Sequence, residues 1–215
     1  MRRLTLIVLA LVLTPALPVN AQVEFSIGPV IGYYRPFGKF DPASVYLTSL
    51  PFTPQALSGL AWGGAASVWF GRRFGAEIQA SFTQSMLPGV NTPGGWYKEP
   101  TPAQVDLVVF QGLLTVLGAP SGHHVWLSAG PGVIRHGGTA YAPYSLPAQW
   151  AAVTGAGARV RIRRHLHAAF GLNALFYTFD LPMPPEYRLN PGSLQHGRQI
   201  DALLHLGFSW TPGGL

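Results

Sequence analysis

The chain has 215 residues, enough for one domain, and only 10% of them are charged, against roughly 25% in an ordinary soluble domain. Mean hydropathy is +0.23, with 26 Gly, 20 Pro and 12% aromatic residues, too little charge to disperse a soluble surface, and beyond the N-terminus no apolar run is long enough for a spanning helix. The formal charge of +6 does not mark a nucleic-acid partner, because the basic residues form no single face: Arg72-Arg73 and Arg163-Arg164 fall in two separate short turns.

The N-terminus has the layout of a secretory signal peptide. Met1-Arg2-Arg3 is a basic start, Leu4 to Leu17 an apolar stretch short for a spanning helix, and Val19-Asn20-Ala21 places small residues at a peptidase site. Cleavage after Ala21 divides the chain into a signal peptide, 1–21, and one mature domain, 22–215. It also removes Arg2 and Arg3, leaving 12 basic residues against 8 acidic ones, a mature charge of +4. The absence of cysteine is compatible with an oxidising compartment.

Past Gln22 the pattern is of β-segments, each about the 9–11 residues of a tilted membrane strand. They are expected near 23–34, 60–71, 74–84, 105–117, 122–135, 150–162, 165–179 and 199–211. Alternation is clearest in three of them. In 74–84, Phe74, Ala76, Ile78, Ala80 and Phe82 oppose Gly75, Glu77, Gln79, Ser81 and Thr83. In 150–162, Ala152, Thr154, Ala156, Ala158, Val160 and Ile162 oppose Gly155, Gly157, Arg159 and Arg161. In 199–211, Ile200, Ala202, Leu204, Leu206, Phe208 and Trp210 oppose Asp201, Leu203, His205, Gly207 and Ser209. An apolar face against a small-or-polar face, with period two, is the pattern of a barrel strand in lipid. In 105–117, Asp106 and Gln111 have opposite parity, which calls for a bulge or for a wrong phase at one of them. Pro29 and Pro131, each beside Gly, are also expected at bulges or kinks.

The connections alternate strictly. Gly71-Arg72-Arg73, Gly118 to Gly122 and Arg163-Arg164 are tight, whereas 35–59, 85–104, 136–149 and 180–198 are long and rich in Pro and Gly. Transmembrane barrels have short periplasmic turns and longer extracellular loops. Tyr33, Tyr34, Phe82, Trp150, Phe176 and Phe179 fall near the outer ends, with Phe25, Phe70, Phe74, Phe208 and Trp210 near the other, as two interfacial belts require. Trp69 and Trp126 take the inward phase. A soluble ligand-binding barrel would turn a polar face to water, and the Gly, Ala and Ser face here is too thin for that. The fold class is therefore all-β: a transmembrane antiparallel up-and-down barrel of about eight strands.

The signal peptide, the strand count, the loop rhythm and the aromatic-ended last strand Leu206-Gly207-Phe208-Ser209-Trp210 together resemble the small outer-membrane barrels of the OmpA/OmpX-like group. The resemblance covers roughly Val23 to Trp210 and is architectural. It implies a location in the outer membrane, contact with outer-membrane lipid and lipopolysaccharide, and passage through the barrel-insertion machinery. One departure is that Thr211 to Leu215 follow Trp210, where such barrels end on the aromatic.

Among candidate functional residues, Glu77, Gln79, Asp106, Arg159, Arg161, Asn173, Asp201 and His205 fall in the inward phase. Unpaired, such groups are costly to bury, so they should bond across the barrel, as a selectivity filter or as a plug filling the narrow interior of eight strands. Ser209, four residues from His205, with Glu77 gives a conceivable hydrolytic set. His123-His124 and His165/His167 match no metal template and read as solvated turns. Gly155-x-Gly157 lacks the rest of a nucleotide-binding motif and reads as room for neighbouring side chains. No cofactor or metal is called for. The expected role is non-enzymatic, structural or surface-interacting, with an extracellular ligand met through loops 35–59 and 180–198. The alternatives are a narrow pore or small hydrophobic-solute conduit, and a lipid-modifying enzyme.

Overall fold

The computed structural model describes residues 23–37, 58–71, 73–87, 90–91, 97–98, 101–139, 147–181 and 195–212. The expected signal peptide and cleavage point lie outside these residues, as do 38–57 and 182–194 of the two loops named for ligand contact. Eight long strands form the wall: β1 (Val23–Pro36), β2 (Gly59–Phe70), β3 (Phe74–Leu87), β4 (Thr101–Gly118), β5 (His124–Gly137), β6 (Gln149–Arg163), β7 (Leu166–Leu181) and β8 (Gln195–Trp210). Each pairs antiparallel with its neighbours in the chain, and β1 pairs with β8 to close the barrel, so no strand edge is left unpaired. A two-residue ribbon, Val90–Asn91 with Tyr97–Lys98, sits in the connection between β3 and β4.

Strict alternation decides what faces where. In β3, Phe74, Ile78 and Phe82 are exposed on the outside, while Gln79, Ser81 and Thr83 are buried inside. The outside carries a continuous apolar surface that includes Phe25, Ile31, Phe110, Leu127, Phe170, Leu172, Leu204 and Phe208. Water would penalise so much exposed apolar area, whereas lipid does not. Trp62, Phe82, Trp150 and Phe176 mark its long-loop margin, and Phe70, Phe74, Phe208 and Trp210 its short-turn margin. Tyr34, expected in the first of these belts, is instead turned inward and only 2% exposed.

The strands run further at the long-loop end than their apolar alternation suggested. β4 begins four residues earlier, at Thr101, β8 four residues earlier, at Gln195, and β3 continues to Leu87. The ladder does not depend on apolar side chains, so it carries on where the outward positions have become Gln84, Gln104 and Arg198.

The expected irregularities also fall elsewhere. Bulges occur between Thr115 and Leu117 and between Arg161 and Arg163, not at the prolines. At Pro29 the β1–β8 ladder skips Gly28 and Pro29 but keeps its register, Ile27 pairing with Trp210 and Val30 with Gly207. At Pro131 the β4–β5 ladder likewise skips Gly130 and Pro131 between the pairs Gly112–Ala129 and Val109–Gly132. The physical reason is shared. A proline cannot donate to the adjacent strand, and the glycine before it lets that strand close up regardless. A Cβ on Gly28 would overlap the Phe208 carbonyl oxygen, and one on Gly130 would overlap that of Phe110.

Candidate functional site: a filled lumen

The inward side chains form layers along the barrel axis. At the long-loop end Tyr34, Ala61, Ala103, Val105, Leu107, Val109, Ile134, Val153, Leu175 and Leu203 pack as one apolar cluster. Within it Asp201, fully buried, accepts hydrogen bonds from the hydroxyls of Tyr34 and Tyr177 on one oxygen, the Tyr177 bond at 2.7 Å, and from Gln199 Nε2 on the other at 2.9 Å. Three donors for a carboxylate in an apolar surround offset much of its lost hydration. The Tyr177 hydroxyl also lies 3.4 Å from His136 Nε2.

The middle layer is neutral amide. Gln111 Nε2 donates to Asn173 Oδ1 at 3.2 Å, and Asn173 Nδ2 donates to Gln79 Oε1 at 3.2 Å, so the bonds span β4, β7 and β3 across the lumen. Gly155 makes room for this layer, because a Cβ there would strike Asn173 and the Ser128 hydroxyl.

At the short-turn end the lumen becomes ionic and aromatic. Arg159 Nη2 lies 3.1 Å from Glu24 Oε1, 2.8 Å from His167 Nδ1, and 3.0 Å from Thr211 Oγ1, to which it donates. His124 meets the Trp69 ring edge-on at 4.8 Å and Trp126 at 5.5 Å. Trp126 lies over Gly157, where a side chain would collide with the indole. A cavity of about 50 Å³ remains between Ser67, Trp69, Glu77, Trp126, Arg159 and His205.

Of the eight residues expected to share an inward network, Gln79, Asn173, Asp201, Arg159 and His205 are buried inside, and the first four fall in three separate bonded groups rather than one. Glu77 and His205 both line the cavity, and no hydrogen bond joins them to these groups among the described residues. Asp106 is a correction. It faces outward, level with Phe82 and Arg135, and its Oδ1 accepts from Gln104 Nε2 at 2.6 Å. No bulge separates it from Gln111. The strand keeps one phase while its chemistry inverts, Val105, Leu107 and Val109 filling the interior where the outside turns polar. Arg161 is a second correction. It is exposed at the short-turn mouth, where its Nη1 donates to the Ser121 carbonyl at 3.2 Å.

His124 and His167, expected in solvated turns, are buried inside, since His124 opens β5 and His167 is the second residue of β7, both in the inward phase. Among the described residues no group of three His, Asp or Glu is placed to hold a metal ion. Ser209 and His205 are separated along one strand by four residues, about 13 Å, far beyond hydrogen-bond reach. Sequence reasoning missed Glu24, Tyr34, Gln111, Tyr177 and Thr211. Parity extended along β1 puts Glu24 in phase with Ser26 and Tyr34, a signal that was available. Thr211, beyond the last aromatic, carried none.

These features define a class: a closed eight-stranded barrel with a lipid-facing wall and an interior packed with its own side chains. Solved structures of small outer-membrane barrels share the barrel fold. The outer membrane protein OprG of Pseudomonas aeruginosa superposes with a TM-score of 0.56 at 13% identity, over 89% of this chain and 97% of that one. Outer membrane protein W of E. coli gives 0.52 at 13% identity, over 89% and 99%. Neisserial surface protein A gives 0.51 at 9% identity, over 86% and 96%. No protein-family model matches the chain, and no curated protein matches it in sequence.

Proposed function

We propose that the chain is exported by a cleavable signal peptide to the outer membrane and acts there as a non-conducting, non-enzymatic barrel. In this reading the barrel holds its long loops at the cell surface for a structural or surface-interaction role. The observation that carries it is the filled interior. Layers of bonded and packed side chains cross the interior, and the cavity of about 50 Å³ between Trp69, Glu77 and Arg159 is room for only a few waters at roughly 10–15 Å³ each. A water-filled channel needs an open path, and eight strands provide little interior beyond that of their own side chains.

Single-channel recording of the refolded protein in a planar bilayer tests this. Silence, with insertion verified by protease protection, is the expected result, and steady ohmic current overturns it. A second reading, a conduit for small apolar solutes, is favoured by one observation: the long-loop half of the lumen carries an apolar cluster that includes Ala61, Val105, Leu107, Ile134 and Val153 around the Asp201 group. It requires faster entry of a straight-chain alkanol into proteoliposomes than into protein-free vesicles, and equal rates eliminate it.

A further inference from the structure

The mature charge of +4 is unevenly placed. Arg72, Arg73, Arg159, Arg161, Arg163 and Arg164 belong to the short-turn half of the chain, against only Glu24 and Glu77. The other half balances six basic residues, Arg35, Lys39, Lys98, Arg135, Arg188 and Arg198, with six acidic ones. By sequence position, the whole excess therefore falls in the segments around the short turns. Both acids there are on the inward phase, and Glu24 is already matched by Arg159. Outside, Arg73, Arg163 and Arg164 are exposed, and none has a side-chain partner among the described residues.

The bulge in β6 decides where Arg163 points. By parity it would follow Arg159 and Arg161 inward. Instead Arg161 pairs with His167 and Arg163 with Leu166, so Ile162 is the extra residue and Arg163 is moved onto the face of Leu166. Ile162 and Leu166 are exposed on the lipid side, as is Phe74 beside Arg73 across the barrel. An arginine bordering the last apolar side chains of a membrane wall stands at the depth of the lipid headgroups.

We propose that the short-turn rim is a binding surface for anionic phospholipid. Arg163 and Arg164 at the β6–β7 turn, with Arg73 on the opposite side at the β2–β3 turn, hold headgroup phosphates of the leaflet that the short turns face. The occupant follows from continuity with the lipid-facing belt: what covers Ile162 and Leu166 is acyl chain, and what lies next to it is the headgroup. Guanidinium groups bind phosphate through two parallel hydrogen bonds, and among the described residues the site carries no exposed carboxylate side chain. Contacts on opposite sides of the rim also fix the barrel's depth.

The test uses the full mature barrel refolded in vesicles of equal parts phosphatidylcholine and phosphatidylglycerol. The protein is extracted in mild detergent and the retained lipid counted by native mass spectrometry. The expected result is enrichment of phosphatidylglycerol by about fivefold per arginine, the fold-change that corresponds to about 1 kcal/mol for a basic residue at an anionic surface. Arg163→Gln/Arg164→Gln should remove most of it, Arg163→Lys/Arg164→Lys should keep part, and Arg35→Gln/Arg135→Gln at the other rim should leave it unchanged. Retained lipid in the bulk ratio overturns the proposal. So does enrichment that survives the glutamine pair in a barrel whose folded state is confirmed by circular dichroism.

Discussion

Replacing Arg159 with Met removes the one Lys or Arg buried inside the short-turn layer among the described residues while keeping most of its bulk. Arg159 is 4% exposed and its partner Glu24 17%, so the carboxylate is left in a site that water reaches poorly. Breaking a buried pair by deleting one partner costs about 3–5 kcal/mol. The lost bonds to His167 and Thr211 are part of the same truncation, so a loss of about 4 kcal/mol is expected. Glu24→Gln alone should cost about half as much, because the guanidinium keeps two of its contacts and an amide can still accept a bond. The double variant Glu24→Gln/Arg159→Met removes both charges and should fall short of the sum of the single losses by about 2 kcal/mol, a coupling usual for residues in contact. Urea unfolding from phospholipid vesicles, followed by tryptophan fluorescence, measures all four corners of the cycle. Strict additivity, or a loss under about 1 kcal/mol for Arg159→Met, would refute the view that this pair organises the layer.

Gly28→Ala and Gly130→Ala each place a methyl group against a backbone carbonyl of the next strand, and should each cost about 1–3 kcal/mol by the same unfolding assay. Gly137→Ala, with open space around it, should be nearly neutral. Asp201→Asn keeps the size but weakens three charge-assisted bonds, so a loss of about 1–3 kcal/mol is expected, and wild-type stability would show that the carboxylate is not what binds Tyr34 and Tyr177. Ile78→Arg, on the apolar outer face, should cost about 2–4 kcal/mol in vesicles, and a neutral result there would place the lipid boundary elsewhere.

The fold was legible because two independent rhythms agree: period-two alternation within segments and long–short alternation between them. Either alone admits a soluble barrel, whereas both together with an outward face of Phe, Ile and Leu do not. The lumen was most legible where a strand is polar inside and apolar outside along its whole length, as in β3. In β4 that rule fails above Phe110, and polarity alone put Asp106 on the wrong face. Tyr34 was misread for the converse reason, an aromatic that serves a buried carboxylate rather than the interface. The bulges at Val116 and Ile162 could not be seen, because no Gly or Pro marks them and each sits in a run where either phase is chemically acceptable.

The inversion within β4 has a structural meaning that extends to its neighbours. Toward the short turns the wall is built as a membrane barrel, with Phe110 and Leu114 outside and Gln111 and Thr115 inside. Toward the long loops it is built in the opposite sense, with Gln104 and Asp106 outside and Val105 and Leu107 inside. Arg135 outside against Ile134 inside repeats this on β5, and Arg35 outside against Tyr34 inside repeats it on β1. Polar groups facing out are costly in lipid and favourable in water or among headgroups, whereas an apolar interior needs no lipid to hold it. The last turns of the wall are therefore arranged as a water-soluble barrel with its own core, continuous with the membrane-embedded part below. Such a segment keeps the strand ends rigid beyond the apolar belt without support from the bilayer. That is the foundation a surface-interaction role requires, because ordering a loop on binding costs less when both its ends are already fixed.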